Sequence, residues 1–123
     1  MNKHDELLQQ LSIEEKCELT HGNSNWTFFG MKRLGIPEVM CGDGPHGLRA
    51  YKKNPEHDVF DRDSLAPTTL FPVAAAMAAT FNPTLLYEIG HAIGEECNMY
   101  NVDLLLAPGI NMKRSPLGSS NFE

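Results

Sequence analysis

The chain turns at Cys41-Gly42-Asp43-Gly44-Pro45-His46-Gly47-Leu48-Arg49, directly after the apolar pair Val39-Met40. Glycine weakens a strand and proline lacks the N–H that strand pairing needs, so a strand that reaches this point cannot continue. The turn leaves Asp43 at the tip of the strand among small residues. A carboxylate placed there can accept charge-assisted hydrogen bonds from two adjacent hydroxyl groups. The alternative is that Asp43 only bonds its own backbone and stabilises the turn.

The segments before this turn are predicted to be one helix, one loop and one strand. Ser12 and Glu15 form the pattern of a capping box, which predicts a helix from Ile13 to about Thr20. A loop is predicted over residues 22–30, where Trp26 either covers an edge of the core or stacks on a sugar ring. A strand is predicted over residues 38–42, which leads into the turn.

A long loop is predicted over residues 50–70, and loops of that length often line functional sites. Three acidic residues within it could suggest a calcium loop: Asp58, Asp61 and Asp63. The glycine and the terminal glutamate of an EF-hand are absent, so we expect a solvated acidic face.

The second half of the chain is predicted to form a strand, a helix and a strand. The run Ala74–Ala79 favours a helix by propensity, but it is short and lies between two prolines, so we predict a buried strand. Asn82 and Pro83 are typical of a helix start, and that helix should reach about Met99. The apolar run 102–107 predicts a parallel strand covered on both faces. This order is that of a βαβ unit.

The long helix is predicted to have one apolar stripe and one polar face. His91 and Glu95 have the spacing of a metal-binding pair, but they share the polar face and should be exposed. Glu96 falls within the apolar stripe, where an ionised carboxylate must be paired or hydrogen-bonded. We therefore expect Glu96 to bind backbone N–H groups of a neighbouring loop rather than to act in catalysis.

The bulk composition excludes several classes of protein. The chain has 123 residues, which predicts at most one domain, and a net charge of −6, which argues against nucleic acid or an anionic membrane as partner. The chain has an odd number of cysteines, three, and they are widely spaced with no CxxC motif. This pattern indicates reduced thiols and a cytoplasmic location. The polar first residues predict no signal peptide, and no apolar run is long enough to cross a bilayer.

Two loops have the content expected of a binding face in an α/β architecture. Ligands there meet the carboxyl ends of strands, and the Asp43 turn and the segment 108–123 each follow a predicted strand. We expect the two loops to border one pocket.

Motifs in both halves of the chain resemble the N-terminal part of glycoside hydrolase family 3, the β-glucosidase type. The similarity runs from about Ser12 onward, with the motifs in the order that the family shows. They are Gly35-Ile36-Pro37, Asp43–Arg49, Phe71-Pro72, Ala78–Pro83, Gly94-Glu95-Glu96, Pro108–Asn111 and Lys113–Pro116.

This resemblance implies an α/β fold, a partial (β/α)8 TIM-type barrel of which residues 1–123 supply the first few units as an N-terminal fragment. It also implies a retaining glycosidase that releases terminal β-linked glucose or a related sugar without a metal or other cofactor. The partners would be a β-glucoside or oligosaccharide substrate, the remainder of the barrel and C-terminal domains. Asp43 matches the family aspartate that grips hydroxyls of the terminal sugar, which makes it a substrate-binding residue.

Two features depart from the family pattern. Ser120 stands where the family carries a sugar-binding arginine, so that contact is in doubt. The family's nucleophilic aspartate and its acid/base glutamate both lie beyond Glu123. The resemblance therefore assigns no catalytic residue to this segment, and we expect the isolated chain to be inactive and poorly stable.

Two other interpretations stay open. One is a non-catalytic carbohydrate-binding or regulatory module, or an inactive truncated fragment, which the loss of arginine at Ser120 favours. The other takes Gly42-Asp43-Gly44 as a phosphate cradle. That turn has neither GxGxxG nor GxxxxGK[ST], and it places a negative charge where phosphate would sit.

Overall fold

The fold is built on a short sheet whose central strand leads into the Asp43 turn. A computed structural model describes residues 3–51, 65–110, 112 and 114–118. In these residues the strands are β1 (Thr27–Phe28), β2 (Val39–Asp43) and β3 (Leu104–Leu106), in the sheet order β1-β2-β3. The helices are α1 (Lys3–Gln10), α2 (Ile13–Glu18), a 3-10 helix (Lys32–Leu34), α3 (Ala74–Ala78) and α4 (Pro83–Met99). The chain is therefore a small α/β structure.

The chain divides into two compact units, residues 1–41 and 42–123. In the first unit the predicted capping box is confirmed: the Glu15 N–H donates to Ser12 Oγ at 3.2 Å and the Ser12 N–H donates to Glu15 Oε2 at 2.8 Å. Helix α2 ends at Glu18, slightly before the predicted Thr20.

An ion pair joins this helix start to the 3-10 helix. Arg33 Nε donates to Glu15 Oε1 at 2.6 Å, Arg33 Nη2 also bonds Glu15 Oε2, and the same nitrogen donates to the Gln10 carbonyl at 2.8 Å. The hydrogen bonds from Arg33 and from the Ser12 N–H lower the pKa of Glu15 to about 2. A charged side-chain network thus holds the first unit.

Two elements of the first unit were not predicted. Helix α1 covers residues for which no helix was expected, and β1 lies inside the predicted loop 22–30. Strand β1 pairs antiparallel with β2, with Thr27 opposite Met40 and Phe28 opposite Val39. The predicted strand 38–42 is confirmed as β2, shifted by one residue.

A small apolar core holds the second unit. Buried Leu48, Ala50, Ala66 and Cys97 form its centre. Half-buried apolar side chains from α4 and from the region of β3 pack against it: Ile93, Tyr100, Val102 and Leu105.

The prediction of a buried strand over Ala74–Ala79 is wrong. Residues Ala74–Ala78 form α3, and none of its residues is buried. The intrinsic helix preference of consecutive alanines outweighs the shortness of the run. The predicted βαβ unit is therefore wrong in its first strand, because a helix precedes α4.

The prediction for α4 is confirmed at both ends. Asn82 is its N-cap, with Oδ1 accepting a hydrogen bond from the Leu85 N–H at 3.1 Å, and Pro83 occupies the first turn. Strand β3 lies within the predicted run 102–107, but the expectation that both of its faces are covered is wrong for the described residues. Leu104 and Leu106 are 44% and 52% exposed, and only Leu105 between them packs on the core.

Among the described helices, none combines the length and the apolar character needed to span a bilayer.

Candidate functional site

The candidate site is the loop between Asp43 and Arg49, which closes on itself. Asp43 is the last residue of β2, and Arg49 forms an isolated antiparallel bridge with it. The Arg49 N–H donates to the Asp43 carbonyl at 2.7 Å. The chain therefore leaves the sheet and returns to the same point, and the intervening residues form a short projecting loop.

Two glycines make this loop possible. Gly44 and Gly47 have φ angles of 136° and 133°, a conformation that residues with a Cβ rarely adopt. A Cβ on Gly44 would overlap the Gly47 carbonyl, and a Cβ on Gly47 would overlap the carbonyl of Thr69. The glycine spacing in the motif is thus required by close backbone contacts.

A second segment supports the outer part of the loop. The Phe71 N–H donates to the His46 carbonyl at 2.7 Å, while Gly47 lies against the Thr69 carbonyl. Residues 67–71 therefore contact the loop at two adjacent positions, and the loop has a backbone partner outside its own turn.

By strand alternation, Asp43 and Arg49 share the side of this hairpin opposite to that of Leu48 and Ala50. Leu48 and Ala50 are buried, and a Cβ on Gly42 would lie 2.8 Å from both Leu48 Cδ1 and Val102 Cγ1. Successive side chains of extended backbone point to opposite sides, and residues opposite each other across an antiparallel bridge share a side. A half-buried carboxylate and a guanidinium are therefore presented together.

The Asp43 carboxylate makes a local hydrogen bond. Its Oδ1 accepts from the Gly44 N–H at 3.0 Å, which is the kind of bond that the structural alternative predicts. An ionised carboxylate offers about four lone-pair positions, so Asp43 has acceptor capacity for hydroxyl groups of a ligand as well. The turn-stabilising and ligand-binding roles are compatible.

Arg49 ends the Asp43–Arg49 motif, and the sequence alone assigns no role to its side chain. Its position opposite Asp43 follows from the bridge that closes the loop, and a pairing across a loop has no signal in local sequence. Arginine presents five N–H donors in a planar array, which complements the acceptors of a sugar's hydroxyl groups.

The predicted role of Glu96 is confirmed. Its two carboxylate oxygens accept the Thr69 N–H, at 2.9 Å for Oε1 and 3.2 Å for Oε2. One turn further along α4, the Tyr100 hydroxyl donates to the Pro67 carbonyl at 2.6 Å. Helix α4 therefore binds the segment that supports the candidate loop.

The other predicted positions do not add to the site. His91 Nδ1 and Glu95 Oε1 lie 3.8 Å apart, and the two side chains are 60% and 69% exposed, as predicted for the polar face of α4. In the part of the chain that the structure describes, no group of three or more His, Cys, Asp or Glu could hold a metal ion. Five further positions lie outside the described residues: Asp58, Asp61, Asp63, Ser120 and Glu123.

The start of the segment after β3 lies beside the candidate loop; that the two border one pocket stays a prediction. A Cβ on Gly109 would lie 3.7 Å from Pro45 Cβ. Ordinary van der Waals contact at this point brings the start of the second predicted loop beside the Asp43 turn.

Comparison with known proteins identifies glycoside hydrolases. Thermostable β-glucosidase B of Acetivibrio thermocellus is 44% identical over 117 residues, which cover 95% of this chain. The exo-α-(1→6)-L-arabinopyranosidase of Bifidobacterium longum is 41% identical over 116 residues, or 94% of this chain. The chain spans 15% of the length of each of these two curated relatives. No protein-family profile matches it.

Solved structures give the same result. β-Glucosidase 3B from Thermotoga neapolitana, solved in complex with glucose, has a TM-score of 0.79 and 36% identity over 99% of this chain and 18% of its own. The Bifidobacterium adolescentis GH3 β-glucosidase has a TM-score of 0.70 and 38% identity over 90% of this chain and 14% of its own. The resemblance to glycoside hydrolase family 3 that the motifs indicated is confirmed.

Proposed function

We propose that the protein containing this chain hydrolyses terminal non-reducing β-D-glucosyl or related residues, by the retaining double-displacement mechanism of family 3. In this proposal residues 1–123 are the N-terminal part of a (β/α)8 barrel domain. The remainder of the barrel and C-terminal domains complete the site. The single observation that carries the proposal is the Asp43 loop: a carboxylate at the end of β2, on a turn built around Gly44 and Gly47, in a chain 44% identical to a β-glucosidase.

Asp43 acts by positioning the sugar. Its carboxylate accepts hydrogen bonds from two adjacent hydroxyl groups, and Arg49, on the same side of the loop, donates to sugar oxygens. Bonds of this kind raise the rate when they strengthen as the ring flattens toward an oxocarbenium ion. The nucleophile and the acid/base, which a retaining enzyme holds about 5–5.5 Å apart, come from outside this segment.

The sugar is glucose or a close relative of glucose. The neighbouring Thermotoga neapolitana enzyme was solved with glucose, whereas one relative is named as an arabinopyranosidase. Comparing aryl β-D-glucoside with aryl α-L-arabinopyranoside in one assay decides between these two substrates.

A non-catalytic carbohydrate-binding module is the second candidate, because Ser120 replaces the arginine that the family motif carries. Glucose binding without hydrolysis by the full-length protein would support the module. Turnover of an aryl glucoside would support the enzyme.

We also propose that the protein is cytoplasmic. Cys17, Cys41 and Cys97 form no disulfide, and thiols persist most readily in a reducing compartment. Quantitative thiol labelling of the protein isolated from cells without reductant tests this proposal.

The decisive test is Asp43→Ala in the full-length protein. Loss of two charge-assisted hydrogen bonds, at about 1.5–3 kcal/mol each, predicts a fall in kcat/KM of about 10²–10⁴-fold. Glu95→Gln, on the exposed face of α4, is the control and should leave kcat/KM unchanged. An Asp43→Ala variant with wild-type kinetics and glucose affinity would remove Asp43 from the site.

A further inference from the structure

We propose that Glu96 is a positioning residue, which sets the place of the Asp43 loop by holding the segment 67–71 against it. The inference rests on the proposed function, because it assigns Glu96 a role in sugar binding that is exercised through Asp43. The hydrogen bond between Glu96 and the Thr69 N–H would by itself imply only a contribution to stability, whereas the proposed role concerns sugar binding.

The first step is the contact between α4 and the segment. Both Glu96 oxygens accept the Thr69 N–H, at 2.9 and 3.2 Å. Residues 66–73 contain no helix or strand, so this backbone has no regular ladder to fix it. A charged acceptor supplies the missing constraint, and hydrogen bonds to charged groups are about twice as strong as neutral ones.

The second step is the contact between the segment and the loop. Two residues beyond Thr69, the Phe71 N–H donates to the His46 carbonyl at 2.7 Å. The Thr69 carbonyl itself lies so close to Gly47 that no Cβ could be accommodated there. The Thr69 N–H thus faces helix α4, whereas the Thr69 carbonyl faces the loop. A shift of Thr69 therefore moves Gly47.

The third step runs from Gly47 back to Asp43. The Gly44 and Gly47 backbones are packed against each other, and the Arg49 N–H closes the loop on the Asp43 carbonyl. We expect a loop with such close backbone contacts to move as a unit.

Tyr100 provides a second attachment of the same segment. Its hydroxyl donates to the Pro67 carbonyl at 2.6 Å, and its ring packs against the core that contains Leu48. With Glu96 one turn away, α4 holds the segment at two points. Glu96 is the one nearer to the contact with Gly47, so it has the larger effect on the loop.

The expected consequence is a loss of rate that passes through Asp43. A displacement of about 1 Å in a group that positions substrate can lower the rate about 100-fold. We therefore expect Glu96→Ala to lower kcat/KM by about 10–100-fold in the full-length protein. Glu96→Gln keeps an oxygen that accepts the Thr69 N–H, and we expect it to recover most of that loss.

The experiment is a double-mutant cycle on aryl β-glucoside hydrolysis in the full-length protein, with Asp43→Ala and Glu96→Ala singly and together. If Glu96 acts through Asp43, Glu96→Ala costs less than about 3-fold in the Asp43→Ala background, because coupled residues are not additive. Glu95→Gln is the matched control, since Glu95 is its exposed neighbour on α4. Amide hydrogen exchange should show faster exchange at Thr69 and in the loop 44–49 only in the Glu96 variants.

Each outcome decides the inference. Equal fold-losses from Glu96→Ala in the two backgrounds would mean a general structural role and would overturn it. If Glu96→Ala does not fold, the same cycle is run with Glu96→Asp, whose carboxylate is one methylene too short to hold the Thr69 N–H in the same place, and additive losses there overturn the inference equally. Absence of aryl β-glucoside turnover by the wild-type full-length protein would reject the proposed function itself. Wild-type kinetics in Asp43→Ala would remove Asp43 from the site and overturn the inference with it, whereas an impaired Asp43→Ala with additive Glu96 effects rejects the positioning role alone.

Discussion

Different kinds of interaction stabilise the inside of each of the two units. In residues 1–41 the recurring contacts are polar and lie at the surface: a capping box and an Arg33–Glu15 ion pair. In residues 42–123 the described contacts include a small apolar core and glycine backbone packed without space for a Cβ at Gly44 and Gly47, a kind of packing that the first unit has at Gly30. The candidate site lies entirely in the second unit, where the close backbone packing of Gly44 and Gly47 and the hydrogen bonds of Glu96 to the supporting segment both act on the loop.

This difference indicates which kind of contact fixes the position of a side chain more accurately. Surface ion pairs contribute little free energy and respond to pH and salt, so they fix the position of a side chain loosely. Close backbone packing cannot relax, and it is independent of pH. A residue that must grip a sugar within a fraction of an ångström is better supported by the second kind of contact.

Of the substitutions that test this comparison, Gly47→Ala should cause the largest loss of local stability, and it should do so in the second unit only. The Cβ would overlap the Thr69 carbonyl, and a φ of 133° is strained for alanine, so we expect a loss of about 3 kcal/mol or more in local stability. Amide hydrogen exchange of the full-length protein, read for peptides of each unit, measures it. Protection should fall in residues 44–51 and stay unchanged in residues 3–41.

Gly90→Ala is the matched control for that change. Gly90 lies within α4, and apart from its chain neighbours and the surrounding helix backbone, no atom of the described residues lies within 4 Å of a Cβ placed there. Alanine in a helix is more favourable than glycine by about 0.5–1 kcal/mol, so this variant should be neutral or slightly more stable. Equal losses at the two glycines would contradict the role given to close packing.

Tyr100→Phe should have a smaller effect, because it removes one hydrogen bond and keeps the ring in the core. The Pro67 carbonyl loses its donor at 2.6 Å, which costs about 1 kcal/mol. Exchange should increase in the segment 66–71, and kcat/KM should fall less than for Glu96→Ala. A Tyr100→Phe variant more impaired than Glu96→Ala would assign the main attachment of the segment to Tyr100.

The pH dependence should be the smallest effect and should be confined to the first unit. The pKa of Glu15 is lowered from 4.5 to about 2, first by the hydrogen bond from Arg33. A lowered carboxyl pKa stabilises the folded unit above pH 4.5, and this contribution is lost as the pH falls from 4.5 towards 2. Hydrogen exchange, corrected for intrinsic rates, should show residues 12–34 opening in this range.

Arg33→Gln provides the control for the pH experiment. Without the guanidinium the pKa of Glu15 rises back toward its ordinary value, so the pH-dependent loss of protection in residues 12–34 should largely disappear. A pH profile that Arg33→Gln does not alter would show that the ion pair is not its cause.

Local signals in the sequence predicted those parts of the fold that depend on neighbouring residues. The Ser12–Glu15 capping box and the Asn82–Pro83 start place two helices correctly, since a cap is completed within one turn. The strand predicted over Ala74–Ala79 is wrong, because the helix preference of alanine outweighs the short length of the run and its flanking prolines. Strand β1 was missed, since two residues form a strand only through pairing with β2.

The candidate site divides in the same way. Glycine and proline mark the turn at Asp43, so its position was predictable, and a carboxylate in an apolar stripe requires a partner, so the hydrogen bonding of Glu96 was predictable. Which partner it has could not be predicted: Thr69 lies 27 residues away in sequence, and no local pattern joins the two. Arg49 gained its place only from the bridge to Asp43.

Cys17 in the first unit and Cys97 in the second can each report the local opening of its unit through alkylation of the thiol. Cys17 is exposed, whereas Cys97 is buried beside Glu96, and burial together with the neighbouring carboxylate raises the pKa of its thiol. An alkylating reagent should therefore modify Cys17 at once and reach Cys97 only when α4 detaches from the core. Mass spectrometry of the alkylated protein would thus time the opening of the helix that carries Glu96, with no label introduced and no residue replaced.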